Sequence, residues 1–278
     1  MTAMVKKADG SLQLFDREKV IRTCLRMGAS IQDANRIAEQ VEKRLYDGIS
    51  TAKILQMVFQ HMRGHKPSIG NLFDLRKGLS LMTSKPEFEV FVQAILARNG
   101  FEVQPNKLLK GKCVEHEVDA VAKKNGFAYF VEAKHHSNYH TPTGLDESRI
   151  ARAVLEDVTE AFALGKSNLK IDGAMIVTNT RYSDQAIQYG RCRGILQIGW
   201  SSPANHGLQN MIEGRNLFPL SCLKSLRMDA RVKLAYHGIV LFEQITKEGE
   251  TELSRRTGLP RDFFTSVKDK IEPEQLSF

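Results

Sequence analysis

Three charged residues near the middle of the chain, Asp119, Glu132 and Lys134, have the types and spacing that metal-assisted hydrolysis requires. Paired carboxylates can hold a hard divalent cation, because such ions prefer oxygen ligands. The cation polarises a phosphate and acidifies a bound water, and a nearby ammonium group offsets the negative charge that develops. These residues therefore predict cleavage of a phosphodiester with Mg²⁺ or Mn²⁺.

A predicted β-hairpin places these three residues together. Two apolar-rich runs, 114–122 and 127–133, flank Asn125-Gly126, a pair typical of a two-residue hairpin turn. That turn pairs Lys124 with Phe127, and the same register sets Asp119 opposite Glu132. Opposed Cβ atoms lie about 4.5–5.5 Å apart, so the two carboxylates repel unless a cation lies between them. Without the aspartate, Glu-x-Lys at a strand edge is more typical of a solvated ion pair.

Asp119, followed on the next strand by Glu132-Ala133-Lys134, resembles the PD-(D/E)XK nuclease superfamily, and within it Mrr-like restriction endonucleases and archaeal Holliday-junction resolvases. Val118 stands where the proline of the family name would be. The resemblance implies a restriction-endonuclease-like fold, DNA as substrate, and Mg²⁺ or Mn²⁺ held by Asp119 and Glu132, with Lys134 assisting. It also implies a further metal-binding glutamate in the opening helix. Glu89 is the candidate and Glu87 the alternative, although both acids could simply complement the helix dipole.

The predicted elements follow the order α-β-β-β-α-β, which is the common core of that superfamily. Ser84-Lys85-Pro86-Glu87 reads as a capping box that starts the opening helix, and Gly100 ends it. The remaining predicted elements are a strand at 101–103, a basic loop at 107–112, the hairpin, a helix at 148–164, a strand at 174–178, a helix from Ser183 and a strand at 195–198. The predicted fold class is therefore α/β, of mixed α+β type.

Histidines and acids surround the predicted hairpin. His135, His136 and His140 follow the third strand and are either surface residues or contacts to a phosphate or substrate, and the loop 138–147 beside them could contact DNA. Glu115 and Glu117 share the strand face with Asp119. Glu117 falls opposite Lys134 in the predicted register and could pair with it.

The first eighty residues predict a second site. Short strands around Ala8-Asp9-Gly10 precede three helices capped by Asp16, Ser30 and Ser50, and a fourth helix is expected at about 69–82. Lys6, Lys7 and Lys19 would form a cationic pocket suited to a triphosphate. A solvated basic hairpin explains the same charges.

This arrangement is similar to the ATP-cone, a regulatory domain of ribonucleotide reductases and of the bacterial repressor of their genes. The similarity covers about residues 4–80 and is carried by Val5, Lys7, Asp9-Gly10, Phe15-Asp16 and Lys19-Val20. It implies that Val5, Lys6, Lys7 and Lys19 contact ATP or dATP, and that occupancy changes the oligomeric state. Lys6-Lys7 replaces the usual Lys-Arg pair, and Phe73 a common tyrosine.

The last eighty residues read as helices at 208–213, 221–236, 239–245, 250–256 and 261–271. Residues 253–261 resemble the connection of a helix-hairpin-helix, which grips a DNA backbone without reading sequence. A packing or dimerisation tail explains them equally well. The predicted domains are a nucleotide-binding cone at 1–83, an endonuclease domain at 84–200 and a helical domain at 201–278.

Composition sets outer bounds on function. The 278 residues carry a net charge of +8 with a pI of about 9.3, which fits a polyanionic partner such as DNA. The four cysteines show no C-x-x-C spacing, which disfavours zinc knuckles and disulfides. No apolar run is long enough to span a membrane, so we expect a cytoplasmic homo-oligomer without a membrane partner. The alternative to an endonuclease is a nucleotide-responsive DNA-binding regulator that does not cleave.

Overall fold

The computed structural model describes residues 3–7, 10–26, 29–65 and 74–271. Packing divides the chain into two compact units. One comprises Met1–Phe73, Leu223–Ser225 and Ile245–Phe278, and the other Asp74–Cys222 and Leu226–Gln244. We call them the N-terminal unit and the sheet unit. The three-domain division with boundaries after residues 83 and 200 stays a prediction.

The N-terminal unit begins with a small sheet of strand order β2-β1-β3, in which β1 is antiparallel to β2 and parallel to β3. Its elements up to residue 65 are β1 (Met4–Lys6), β2 (Leu12–Leu14), α1 (Arg17–Arg26), α2 (Ile31–Glu42), β3 (Ile49–Ser50) and α3 (Thr51–His65). The predicted caps are confirmed, because side chains of Asp16, Ser30 and Ser50 accept backbone N–H bonds three residues ahead. Ala8, Asp9 and Phe73, which belong to the predicted turn and final helix, lie outside the described residues.

The sheet unit is built on a five-stranded sheet of order β4-β5-β6-β7-β8, antiparallel from β4 to β6 and parallel from β6 to β8. Its elements up to residue 198 are α4 (Leu75–Ser80), α5 (Glu89–Arg98), β4 (Glu102–Lys110), β5 (Glu115–Lys124), β6 (Phe127–Lys134), α6 (Leu145–Ala163), β7 (Gly173–Thr178), α7 (Asp184–Arg193) and β8 (Leu196–Ile198). The predicted mixed fold class and the α-β-β-β-α-β order, from α5 to β7, are confirmed.

The hairpin register is confirmed as well. Lys124 pairs with Phe127, and the ladder continues to Ala120 and Val131. Asn125 and Gly126 both have positive φ, 53° and 82°, which the tight two-residue turn requires at its two central positions.

The first strand of the sheet is longer than predicted. It continues to Lys110, and residues 107–110, predicted as loop, pair with β5. Asn106 adopts a φ of 44° opposite Asp119 and interrupts the ladder without changing its register. Because this kink lies in the middle of the strand, the alternation of apolar and polar residues did not reveal its second half.

The start of α5 also differs from the prediction. Thr83, rather than Ser84, is the N-cap residue, and it exchanges bonds with Glu87: the Glu87 carboxylate accepts the Thr83 N–H at 2.8 Å. Lys85 lies in an extended conformation inside this opening turn, Ser84–Phe88. The capping partners are therefore four residues apart, one more than in the predicted box.

Of the five predicted C-terminal helices, one has the predicted bounds, one is a residue longer and three are shorter. They are α8 (Leu208–Glu213), α9 (Met228–Tyr236), α10 (Phe242–Lys247), α11 (Glu250–Thr257) and α12 (Arg261–Lys268). The predicted helix at 221–236 is instead a short 3₁₀ turn, Leu220–Cys222, followed by α9. Leu220, Leu223 and Leu226 are all buried. Their three-residue spacing resembles the apolar face of an α-helix, although this segment is not α-helical. In the described part of the chain, no helix is sufficiently long and apolar to traverse a lipid bilayer.

Candidate active site

Three carboxylates meet where β5 and β6 separate. Asp119 is buried, and its Oδ2 atom accepts the backbone N–H of Ala133 on β6 at 2.7 Å. Glu89, in the first turn of α5, lies close enough to Asp119 to be affected by its charge. Burial and the neighbouring Asp119 charge raise the pKa of Glu89 to about 7, and the same two causes raise the pKa of Glu132 to about 7. The structure thus brings the three predicted metal-binding acids near one another, and the raised pKa values of Glu89 and Glu132 reflect burial first and repulsion by the Asp119 charge second.

Two lysines face these carboxylates from different elements. Lys134 forms an ion pair with Glu147 of α6, with Nζ 2.6 Å from Oε1. Lys85 lies 3.2 Å from Glu89 and 3.8 Å from Glu117. The predicted pairing of Glu117 with Lys134 is wrong, because the β5–β6 ladder ends at Ala120 and Val131, before those residues come opposite each other.

Glu87, the alternative metal ligand, pairs with an arginine instead of facing the other acids. Its side chain is only 3% exposed and forms an ion pair with Arg231 of α9, whose Nε lies 2.8 Å from Oε1. Arg231 also donates to the carbonyl groups of Leu81 and Leu226. Glu87 and Arg231 therefore anchor the turn that presents Glu89, and Glu87 is not available to a metal.

Gln93 is a supporting residue that the sequence analysis missed. Its Nε2 donates to the backbone carbonyl of Asp119 at 2.8 Å and contacts Asn106 Oδ1 at 3.3 Å. Gln93 lies four residues after Glu89, so both project from one side of α5. That spacing was the available signal, and it ties the helix to the point where the strand is interrupted.

The donor set fits a divalent cation that retains much of its water. Among the described residues, no three His, Cys, Asp or Glu side chains converge tightly enough to share one ion. Mg²⁺ usually binds through one or two carboxylates and keeps several waters, so Asp119 and Glu132 suffice, with Glu89 beside them. Repulsion among these acids would be relieved by a cation, which is the fit that their raised pKa values indicate.

The two histidines after β6 are held within the protein. His135 contacts the Leu79 carbonyl through Nε2 at 3.0 Å, and its ring lies 5.2 Å from that of Phe88. His136 Nε2 is 3.1 Å from the buried Thr143 hydroxyl. Burial lowers the pKa of both imidazoles. Together with nearby hydroxyl and amide side chains they line a polar pocket of about 380 Å³, and His140 is exposed.

The N-terminal unit separates the predicted nucleotide-binding residues. Val5 and Lys19 line a pocket of about 250 Å³, whereas Lys6 and Lys7 are exposed and do not line it. Val5 is buried and Lys6 follows it on β1, so their side chains leave opposite faces of the strand. Lys19 lies 3.7 Å from Asp16, which lines the same pocket.

Comparison with known proteins identifies a family for each of the two predicted sites. The ATP cone domain family matches residues 3–99, and the Mrr-type restriction endonuclease family matches residues 81–197. Two proteins of Archaeoglobus fulgidus, both described as uncharacterized, are similar to the chain. One is 34% identical over 167 residues, covering 59% of this chain and 88% of its own length. The other is 49% identical over 39 residues, covering 14% of this chain and 83% of its own length.

A solved crystal structure also resembles the chain. It is described as a protein of unknown function, AF1548, and aligns with a TM-score of 0.59 at 30% identity, covering 67% of this chain and 96% of its own. The restriction-endonuclease-like fold is thereby confirmed. The chain carries an ATP cone domain, followed by a domain of the Mrr-type restriction endonuclease family.

Proposed function

We propose that the chain is a metal-dependent DNA endonuclease whose activity responds to ATP or dATP bound in the cone. The observation that supports the proposal most directly is the meeting of Glu89, Asp119 and Glu132 beside Lys134. Half-buried carboxylates that repel one another are unfavourable in a purely structural site, and Lys85 and Lys134 offset that repulsion only in part. A role in restriction or defence follows by analogy with the family.

Each residue of the site has a defined task in this proposal. Asp119 and Glu132 hold Mg²⁺ or Mn²⁺, and Glu89 completes the set. When bound, the ion polarises the scissile phosphate and acidifies a water. Lys134, held 2.6 Å from Glu147, orients that water and stabilises the charge that forms on the phosphate oxygens.

Supporting residues keep the helix and the strands of the site in place. Gln93 holds the backbone at Asp119, and the buried pair of Glu87 with Arg231 holds the turn before Glu89. Misplacement of such groups by about 1 Å can cost roughly 10²-fold in rate, so these contacts are expected to matter although none touches the substrate.

Regulation is proposed to run through the cone. Val5 and Lys19 would contact the nucleotide in the pocket they line, with Lys6 and Lys7 reaching the phosphates from outside it. Nucleotide binding is proposed to change the assembly of a homo-oligomer, which light scattering with and without ATP or dATP would reveal.

The test uses the full chain with plasmid, linear, single-stranded and branched DNA. Reactions contain Mg²⁺, Mn²⁺ or a chelator, each with and without ATP or dATP. We expect cleavage only with metal, a rate that changes with nucleotide, and no cleavage by Glu132→Gln. If the wild type binds DNA but leaves every form uncut with either metal, the endonuclease is refuted in favour of a nucleotide-responsive DNA-binding regulator.

A further inference from the structure

The polar pocket beyond Lys134 has an unusual lining for a site next to a phosphodiester. All of its lining residues are Ser, Thr, Asn, His or Met, namely Ser84, His135, His136, Ser137, Asn138 and Thr141, with Met82 at its edge. Ser, Thr and Asn side chains contact phosphates as well as bases, but none of these lining residues is a Lys or Arg that would supply the positive charge on which phosphate affinity mainly depends. The charged side chains of the carboxylate site therefore end at Lys134, and the pocket lining that begins at the next residue, His135, offers hydrogen-bonding groups instead.

The wall of this pocket is rigidly held at both ends. Asn179 is buried and brackets the backbone of His136, accepting its N–H at 2.9 Å and donating to its carbonyl at 2.8 Å. At the other end, Arg76 donates to the Tyr139 carbonyl at 3.0 Å and stacks against its ring, with Cζ 5.0 Å from the ring centre. A wall held in this way loses little conformational freedom when a ligand enters.

Three exposed polar residues lie beside these anchors: Ser137 and Asn138 between His136 and Tyr139, and Thr141 two residues beyond Tyr139. They supply hydroxyl and amide groups that both donate and accept. Asn138 Oδ1 accepts the His140 N–H at 3.1 Å, which fixes the orientation of the amide and leaves its NH₂ group and one oxygen lone pair for a ligand. Asparagine reads the edge of adenine through two bonds, and serine or threonine can contact any base. Burial lowers the pKa of the two imidazoles and so favours their neutral form, in which each ring offers one donor and one acceptor nitrogen.

We propose that this pocket receives a nucleobase of the strand being cut and reads its edge through Ser137, Asn138 and Thr141. The inference rests on the proposed endonuclease function and assigns it a specificity subsite. His135 lies three residues beyond Glu132, about 10 Å at the rise of a strand. Successive base pairs are about 3.4 Å apart along the axis, so the recognised base lies within roughly three positions of the cut.

The experiment sequences the cleaved ends of duplex DNA that carries a randomised segment, using the full chain with Mg²⁺. The wild type is expected to favour one base at a position within about three of the cut. Asn138→Ala and the double variant Ser137→Ala with Thr141→Val should reduce that preference roughly 5- to 100-fold, the range expected when a specific base contact is lost. Asn210→Ala, at an exposed asparagine of α8, is the matched control and should keep the preference.

Two results overturn the subsite while leaving the endonuclease intact. One is cleavage by the wild type without a base preference near the cut, or with a preference that the pocket variants retain. The other is a uniform loss of binding to all sequences in the pocket variants together with a weaker dependence on salt, which identifies a phosphate contact. A wild type that cuts no DNA refutes the proposed function and the subsite together.

Discussion

The sheet unit and the N-terminal unit differ in whether their predicted site residues lie close together. In the sheet unit, Glu89, Asp119 and Glu132 come from three elements, and the Asp119 charge acts on both of the other acids. In the N-terminal unit, Val5 and Lys6 are neighbours in sequence yet only the first lines the pocket. Strand pairing joins distant residues whose register is known, whereas adjacent residues on one strand always diverge. Closeness in sequence is therefore a poor guide to a shared site.

The largest expected effect concerns where the sheet unit begins. Leu79 and Met82 are buried in its core, and losing one such side chain typically costs about 2–5 kcal/mol. A chain of residues 74–278 should therefore fold, and a chain of 84–278 should be molten or aggregated. Circular dichroism and urea unfolding of the two truncations test this. Equal stability would show that α4 contributes nothing to the sheet unit and would favour the boundary at residue 83.

The carboxylates and the lysine of the site should separate metal binding from chemistry. Asp119→Asn and Glu132→Gln should lose both metal binding and cleavage, because each removes a charged oxygen ligand. Lys134→Ala should keep or tighten metal binding while losing roughly 10²-fold or more in cleavage rate. Calorimetric metal titrations and DNA cleavage assays measure the two properties, with the surface variant Lys170→Ala as control. If all three variants cut DNA at the wild-type rate, these charged residues have no catalytic role.

Glu147 should have a smaller effect through the lysine it holds. Glu147→Gln removes the charge 2.6 Å from Lys134, so the ammonium loses its fixed position, and we expect a loss of roughly tenfold, as for partners of metal-site groups. The matched control is Glu156→Gln, which breaks an exposed pair with Arg152 on the same helix. The pair matters if the first variant lowers kcat with KM little changed. Identical kinetics for the two variants would assign Glu147 no role.

In the N-terminal unit, the lysines should not be equivalent. Lys19 lines the pocket and Lys6 does not, so Lys19→Ala should weaken ATP or dATP binding by roughly tenfold, the effect of one charge-assisted bond at a partly exposed site. Lys6→Ala and Lys7→Ala should have smaller effects. Calorimetry on the full chain compares them. If Lys6→Ala or Lys7→Ala costs more than Lys19→Ala, the nucleotide occupies the outer face of β1 instead.

The smallest effect is a pH dependence at the far end of the hairpin. Asp157 of α6 accepts bonds from His116 at 2.8 Å and from the Cys113 N–H at 2.9 Å, and these lower its pKa from the usual 3.8. A lowered carboxyl pKa stabilises the folded state above the ordinary value, and that stabilisation is lost as the pH falls through the folded value. The Tm of the wild type should exceed that of Asp157→Asn at pH 7.

Below pH 3.8 the two melting temperatures should converge, because protonation removes the charge that the substitution removes. Glu160→Gln, which breaks an exposed pair with Lys112, serves as the control and should show no such convergence. A difference in Tm that persists unchanged into strong acid would mean that Asp157 acts through its shape and not through its charge.

Local signals determined the site strands. Asn125-Gly126 imposed a two-residue turn, and the turn imposed a register that runs as far as Ala120 and Val131, the residues next to Asp119 and Glu132. Caps such as Ser30 and Ser183 were readable for the same reason, since a side chain bonds an N–H only three residues away. Each of these features depends on a few consecutive residues, so the sequence alone predicted it.

Tertiary structure alone decided which charges became partners. Arg231 reaches Glu87 across 144 positions, and Glu147 replaces Glu117 as the partner of Lys134. These contacts depend on how helices pack on the sheet, where several acids of equal charge compete for each cation. Charge type does not distinguish among them. Only the distances set by packing do, which is why the register of the site strands could be predicted from sequence and the ion-pair partners of the site residues could not.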